Sequence, residues 1–359
     1  MASGSSDKQT LKELITSTLA LLQQFAASLS PTTDGPATTR IANPPDPLRI
    51  LGDSSKLVKA HTTKLSLLAI NKPFTPSAIT KVLKELSATC FPAMMSAVQI
   101  CEQERASWGS MMGREVQSRV LRVFRELQSL LQELQLIAAG TQQTGRRDTL
   151  SSTGVVWETC DAVIELQTMG LGGLALQKAQ QYRNTIKDAI EELKEWAEGS
   201  DLDNEGQGDA LLDEDDEGVD GDKDSLDDIF NAANSMPKDR PELKALADKA
   251  DGKLKKVALL YEALIKRRIK TFKRDGEGSK DWPRQVARLD EVMQRLKRVP
   301  HQVDDLASCF YDLDEEKTKA ALQRVVDEGK AAAFGMRNGW TGGEDAFTEW
   351  TTKWIDAVG

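Results

Sequence analysis

Two histidines, four cysteines and one dense run of carboxylates are the side chains of this sequence best equipped for chemistry. His61 lies among lysines and threonines in "KLVKAHTTKL", and His301 follows Pro300. Neither has a neighbouring nucleophile or acid in a recognisable pattern, so a surface or helix-capping role is expected of both. Cys90, Cys101, Cys160 and Cys309 are too far apart for Cys-x-x-Cys, and no His/Cys spacing fits a metal. "GSMMG" at 109–113 has the wrong spacing for a nucleophile elbow, and "GLGG" at 170–173 lacks both a preceding strand and the third glycine of a dinucleotide loop. The sequence therefore offers no catalytic, cofactor-binding or metal-ligating residue, and neither an enzyme nor a cofactor is expected.

The carboxylates concentrate in "SDLDNEGQGDALLDEDDEGVDGDKDSLDDIF", residues 200–230, with fourteen acids and one lysine. That stretch supplies −13 of a formal net charge of −9, so the rest of the chain sums to +4. A calcium loop needs Gly at its sixth position and Glu at its twelfth. From Asp213 the sixth is Gly218 but the twelfth is Asp224; from Asp216 the third is Gly218 and the twelfth Asp227. Neither register fits. Repelling like charges with little apolar area predict disorder, and hence a tether between folded halves. Ser200 and Ser225, each with Asp three residues on, suit acidophilic kinases.

A basic run, "KRRIKTFKR" from Lys266 to Arg274, includes Lys266, Arg267 and Arg268. It reads as an import signal, as a set of phosphate contacts, as the solvated end of a long helix, or as a dock for the acidic run. Direct nucleic-acid binding is not expected, because the net charge is negative and aromatics, at 5%, are too sparse for a stacking platform. Residues 14–33 carry too many Ser, Thr and Gln for a membrane span or a signal peptide. Scattered cysteines without a secretion signal fit a reducing compartment.

The elements that would position these groups are helices. Leu, Ala, Glu, Lys, Gln and Arg recur, and alternating β-branched runs are nearly absent. Helices are expected over about 7–29, 47–70, 76–101 with a kink or interruption at Pro92, 116–137, from near Gly154 to 198 with a break at "MGLGG", and 241–272. Others are expected from Pro283, from a restart at Pro300, over "LDEEKTKAALQRVVDEGKAAAF", and over 344–357.

Val116, Val120, Val123, Leu127, Leu130, Leu134 and Ile137 form a heptad seam, which Leu121, Phe124 and Leu131 widen. That width favours the core of a bundle over a free zipper, and so a monomer over a dimer. Phe347, Trp350, Trp354 and Val358 form one stripe, expected to dock the last helix on the bundle. The architecture is thus all-α, with two up-and-down bundles. Residues 1–198 form an N-terminal bundle, 199–237 an acidic flexible linker and 238–359 a C-terminal helical domain.

"RQVARLDEVMQRLKRVPHQVDDLASCFY" (284–311), with Asp304, Asp305 and Tyr311, resembles the C-terminal half of the Grap2- and cyclin-D-interacting proteins. "VVWETC" (155–160), containing Trp157, resembles a stretch of the same family, as do "PFTPSAI" and the acidic insert. The resemblance spans roughly residues 45–335. It implies a five-helix-bundle fold akin to vinculin and α-catenin modules. It also implies an adaptor for cyclin-like and helix-loop-helix regulators of cell cycle and transcription, placed in cytoplasm and nucleus. The family's zipper would match the seam that includes Val120, Leu127 and Leu134. The other readings are a vinculin-like scaffold for cytoskeletal or membrane partners and a binder of basic proteins through the acidic run.

Overall fold

The computed structural model describes residues 2–30, 41–139, 146–198, 236–237, 239–272 and 280–359. The expected acidic linker therefore lies outside the described residues, apart from its last two positions. The α-helices are α1 (Ala2–Ser28), α2 (Pro47–Ile70), α3 (Pro76–Glu85), α4 (Phe91–Gln103), α5 (Arg105–Ala139), α6 (Arg146–Glu198), α7 (Pro241–Arg267), α8 (Trp282–Tyr311), α9 (Glu315–Gly335) and α10 (Ala346–Val358). Among the described residues no strand occurs, and no helix is long and apolar enough to cross a membrane.

Local chemistry sets the helix ends. Asp46 accepts hydrogen bonds from the Leu48 and Arg49 backbone N–H groups at 2.8 and 3.2 Å, and Pro47 fills the first turn of α2, where its missing N–H costs nothing. Pro76 opens α3 in the same way. The helix expected over 76–101 is two helices joined by one wide π turn, Leu86–Cys90. The wide turn ends just before Pro92, whose ring and missing N–H do not fit a regular ladder.

The chain condenses into two units, Met1–Leu174 and Ala175–Gly359. Composition places the division at the acidic run; the contacts place it inside α6, just after Gly170. That glycine sits at φ 61° and ψ −168°, which interrupts the helical backbone at the expected "MGLGG" break. In the first unit α5 packs against α1 and α4. Its seam is buried from Val116 to Leu134, with Val116, Val120 and Val123 at 0% exposure and Leu127 at 1%, while Ile137 at its end is only partly covered. Phe124 meets the rings of Phe25 and Phe91 at 5.9 and 5.8 Å. The Arg119 guanidinium donates to the Ala162 carbonyl, tying the first part of α6 to α5.

In the second unit the latter part of α6 packs beside α7 and α8. Lys187 bridges to Glu262 at 2.7 Å, and the Trp196 ring meets Phe310 at a tilt and Tyr311 edge-on, at 5.9 and 5.5 Å. Met236, where the described chain resumes, is buried and donates its backbone N–H to the Trp196 carbonyl at 3.0 Å. The expected restart at Pro300 does not occur. α8 runs unbroken through Pro300, and His301 lies within it, exposed. Proline has no N–H for the carbonyl four residues back, that of Leu296. Tyr261 of α7, fully buried, supplies the missing donor: its hydroxyl donates to the Leu296 carbonyl at 2.6 Å. Burial pushes the Tyr261 phenol well above its ordinary pKa, so it stays protonated and remains a donor.

At Gly170 an added Cβ would meet nothing within 4 Å, so Gly170→Ala isolates the backbone strain of its positive φ. We expect a loss of about 1–3 kcal/mol in urea unfolding. Gly252→Ala in α7, also with open space around it, should instead gain about 0.5–1 kcal/mol. Tyr261→Phe should cost about 1–3 kcal/mol by leaving the Leu296 carbonyl unsatisfied. A double-mutant cycle with Pro300→Ala, which restores the helical N–H, should show that cost shrinking.

Candidate functional site

In the second unit α7 and α9 each leave a large apolar side chain outside the buried core, Leu259 and, at 68% exposure, Phe334. α7 buries Leu243, Leu246, Leu254, Val257, Tyr261 and Leu264 at helical spacing. Leu259 lies off that stripe and is 50% exposed. It stands between two grooves. One, of about 490 Å³, runs between α7 and the latter part of α6, with Ile190 and Ala258 in its floor. The other, of about 300 Å³, runs between α7 and α10, with Ala263, Phe347 and Trp350 in its wall.

α10 forms that wall because it is fixed at both ends. At its start, Arg268 directs its whole guanidinium inward at 2% exposure. Its Nε donates to the Met336 carbonyl at 2.8 Å. One terminal nitrogen serves Asp345 Oδ2 and the Arg267 carbonyl, and the other serves Asp345 Oδ1 and the Arg337 carbonyl. All the N–H donors of an arginine are thereby engaged. The guanidinium also lies 4.5 Å over the Phe347 ring. Asp345 doubles as the N-cap of α10, accepting from the Phe347 and Thr348 N–H groups. The Arg268 pairing, with those backbone bonds, pulls the Asp345 carboxyl down to about 2. At the far end, Lys253 and Lys256 donate to the Gly359 and Ala357 carbonyls at 2.9 and 2.7 Å. Between the ends, Trp354 Nε1 donates to the Lys256 carbonyl, and Gly329 leaves room for the Trp354 ring. The expected docking of the aromatic stripe is what this helix does.

The residues singled out by sequence fall in different places. Val120, Leu127 and Leu134 are buried in α5, at most 3% exposed. Trp157 is partly exposed on α6, in the first unit. Lys266 and Arg267 are exposed at the end of α7, beside the groove facing α10. Arg268 is not a solvated cation of the basic run but the buried tie just described. Lys273 and Arg274, the end of that run, lie outside the described residues. Asp304 and Asp305 project from the last third of α8 as exposed side chains. Tyr311 is half exposed and donates to Glu192 at 2.9 Å, and burial together with that bond pushes its phenol up to about 12. Sequence reasoning passed over Leu259, Tyr261 and Asp345. Only Leu259 had a local signal, a leucine out of register with the stripe of α7.

These surroundings do not activate the candidate groups. Burial pushes the Cys101 and Cys160 thiols up to about 12 and raises that of Cys90, so none is a ready thiolate. Burial lowers the pKa of His61, only partly opposed by Glu85 at 3.7 Å. Among the described residues no three His, Cys, Asp or Glu side chains gather as metal ligands. The arrangement offers contact surface.

Residues 50–199 match the family described as "Grap2 and cyclin-D-interacting, N-terminal", and residues 212–332 match "Grap2 and cyclin-D-interacting, C-terminal". An uncharacterized protein of Schizosaccharomyces pombe is 24% identical over 314 residues, 86% of this chain and 83% of its own. A cyclin-D1-binding protein 1 homolog of Xenopus laevis is 25% identical over 284 residues, 77% of each chain.

The Arg268–Asp345 tie has a pH signature. A carboxyl held at about 2 against an ordinary 3.8 adds stability above its unfolded value, and that stability is lost as pH falls through the folded one. Asp345→Asn should flatten this part of the acid limb of the unfolding curve between those two values. Arg268→Met should cost about 3 kcal/mol by removing donors from enclosed carbonyls. Both changes should speed backbone exchange in α10.

Proposed function

Because the chain belongs to the Grap2 and cyclin-D-interacting family, we propose that it is a non-enzymatic adaptor for regulatory proteins, D-type cyclins and helix-loop-helix factors among them. The observation that carries this reading is that both family regions are present in order, together with a relative named for binding cyclin D1. Its regulatory output is on cell cycle and transcription, and it works in cytoplasm and nucleus. The burial of the α5 seam supports a monomer, since Val120 and Leu127 face the interior of the first unit and have no free side to offer a second copy. The partner-facing surfaces are then the outer faces of the helices, with the half-exposed Leu259 of α7 the leading candidate. The acidic run, residues 200–230, whose part from residue 212 onward falls within the C-terminal family region, acts as a tether tuned by phosphorylation at Ser200 and Ser225.

The test is capture of a purified D-type cyclin by the full chain and by a chain lacking residues 200–230, with light scattering on the uncomplexed protein. We expect a monomer, and cyclin binding by both forms. Capture by neither form would remove the adaptor reading. Capture by the intact chain alone, lost with salt, would make the acidic run the binding element instead of a tether.

A further inference from the structure

The two grooves beside α7 share a charge pattern as well as Leu259. Lys187, Lys194 and Lys255 edge the groove on the α6 side. Lys266 and Arg267 edge the groove on the α10 side. Lys187, Lys194 and Lys255 are each met by a carboxylate, Glu262 at 2.7 Å, Glu198 at 3.6 Å and Asp251 at 2.7 Å. Lys266 and Arg267 meet no carboxylate of a described residue. The face therefore combines apolar surface with uncompensated positive charge at the end of a helix.

We propose that this face of α7 takes an acidic amphipathic helix from a protein partner, with its apolar side on Leu259 and Trp350 and its carboxylates on Lys266 and Arg267. This rests on the adaptor reading and gives it an address. The choice of occupant follows from complementarity. A basic helix would add to the cation excess, and a neutral apolar one would leave Lys266 and Arg267 to be desolvated unpaired. An amphipathic helix with large side chains at i, i+3, i+4 and i+7 satisfies both halves of the pattern. The α10 wall is held in advance by Arg268 and Asp345, so binding there does not require the groove to form first.

The experiment uses the full chain and two synthetic helical peptides. One has Leu at i, i+3, i+4 and i+7 with Glu elsewhere; the other has Lys in place of Glu. Binding is read by fluorescence anisotropy at about 0.15 M salt. The acidic peptide should bind and the basic one should not. Leu259→Glu, and separately Lys266→Glu with Arg267→Glu, should each weaken the acidic peptide more than tenfold, while Lys319→Glu on α9 leaves it unchanged. These positions are exposed, and matching melting curves check that the variants fold. Equal binding of both peptides, or variants that bind like the parent, would overturn the proposal. So would a gain of more than tenfold on deleting residues 200–230, because the chain's own acidic run would then be the occupant. If a D-type cyclin is captured equally by the parent and by Leu259→Glu, the adaptor reading stands and this address for it falls. If the acidic peptide binds as expected and no cyclin is captured, the site stands without that partner.

Discussion

One buried guanidinium holds together the part of this molecule that faces outward. Arg268 reaches from the end of α7 to the carbonyls after α9 and to the N-cap of α10. Burying a charge is costly unless its hydrogen-bonding capacity is met, and here each N–H has an acceptor and the charge has a carboxylate. The same carboxylate caps α10, so one aspartate both neutralises the arginine and starts the helix. Phe347 and Trp350, which wall the groove beside α7, inherit their positions from this tie. Trp340 adds a further bond, from its Nε1 to the Arg268 carbonyl at 3.0 Å.

A second constraint acts deeper in the same unit. α8 carries a proline in its interior and still runs unbroken, because Tyr261 gives the Leu296 carbonyl the donor that Pro300 withholds. α7 thus does two jobs with one stripe. It buries apolar side chains against its neighbours, and it repairs a defect in the helix beside it. What is left on its outer side, Leu259 with the cations of its last turn, is presented by a helix fixed on its other faces. A rigid surface of this kind suits an adaptor, since little ordering entropy remains to oppose binding.

Much of the fold was legible in the sequence. The seam of α5 has the spacing of a buried stripe, and Val116 to Leu134 are buried in that register. Pro47 and Pro76 mark helix starts because a first turn needs no N–H from them, and the aromatic stripe of α10 is large enough that burial is its cheapest state. The misreadings share a physical cause: each depended on a partner distant in sequence. Pro300 looked like a helix start because Tyr261 is not local to it. Arg268 looked like one cation in a solvated run because Asp345 and the carbonyls that engage it come much later in the chain. By contrast, the expectation that Pro92 would kink or interrupt its helix holds: a wide turn breaks the ladder just before it. The surface at Leu259 was harder still to see, since exposure is set by what the other helices leave uncovered.

Partners are proposed to meet this protein on the outer face of α7. Backbone hydrogen exchange on the full chain, alone and with a saturating D-type cyclin, tests this most directly. Added protection is expected over residues 255–267 and 346–350. Protection confined to residues 2–174, or none anywhere in α7 and α10 from a cyclin that demonstrably binds, would contradict it.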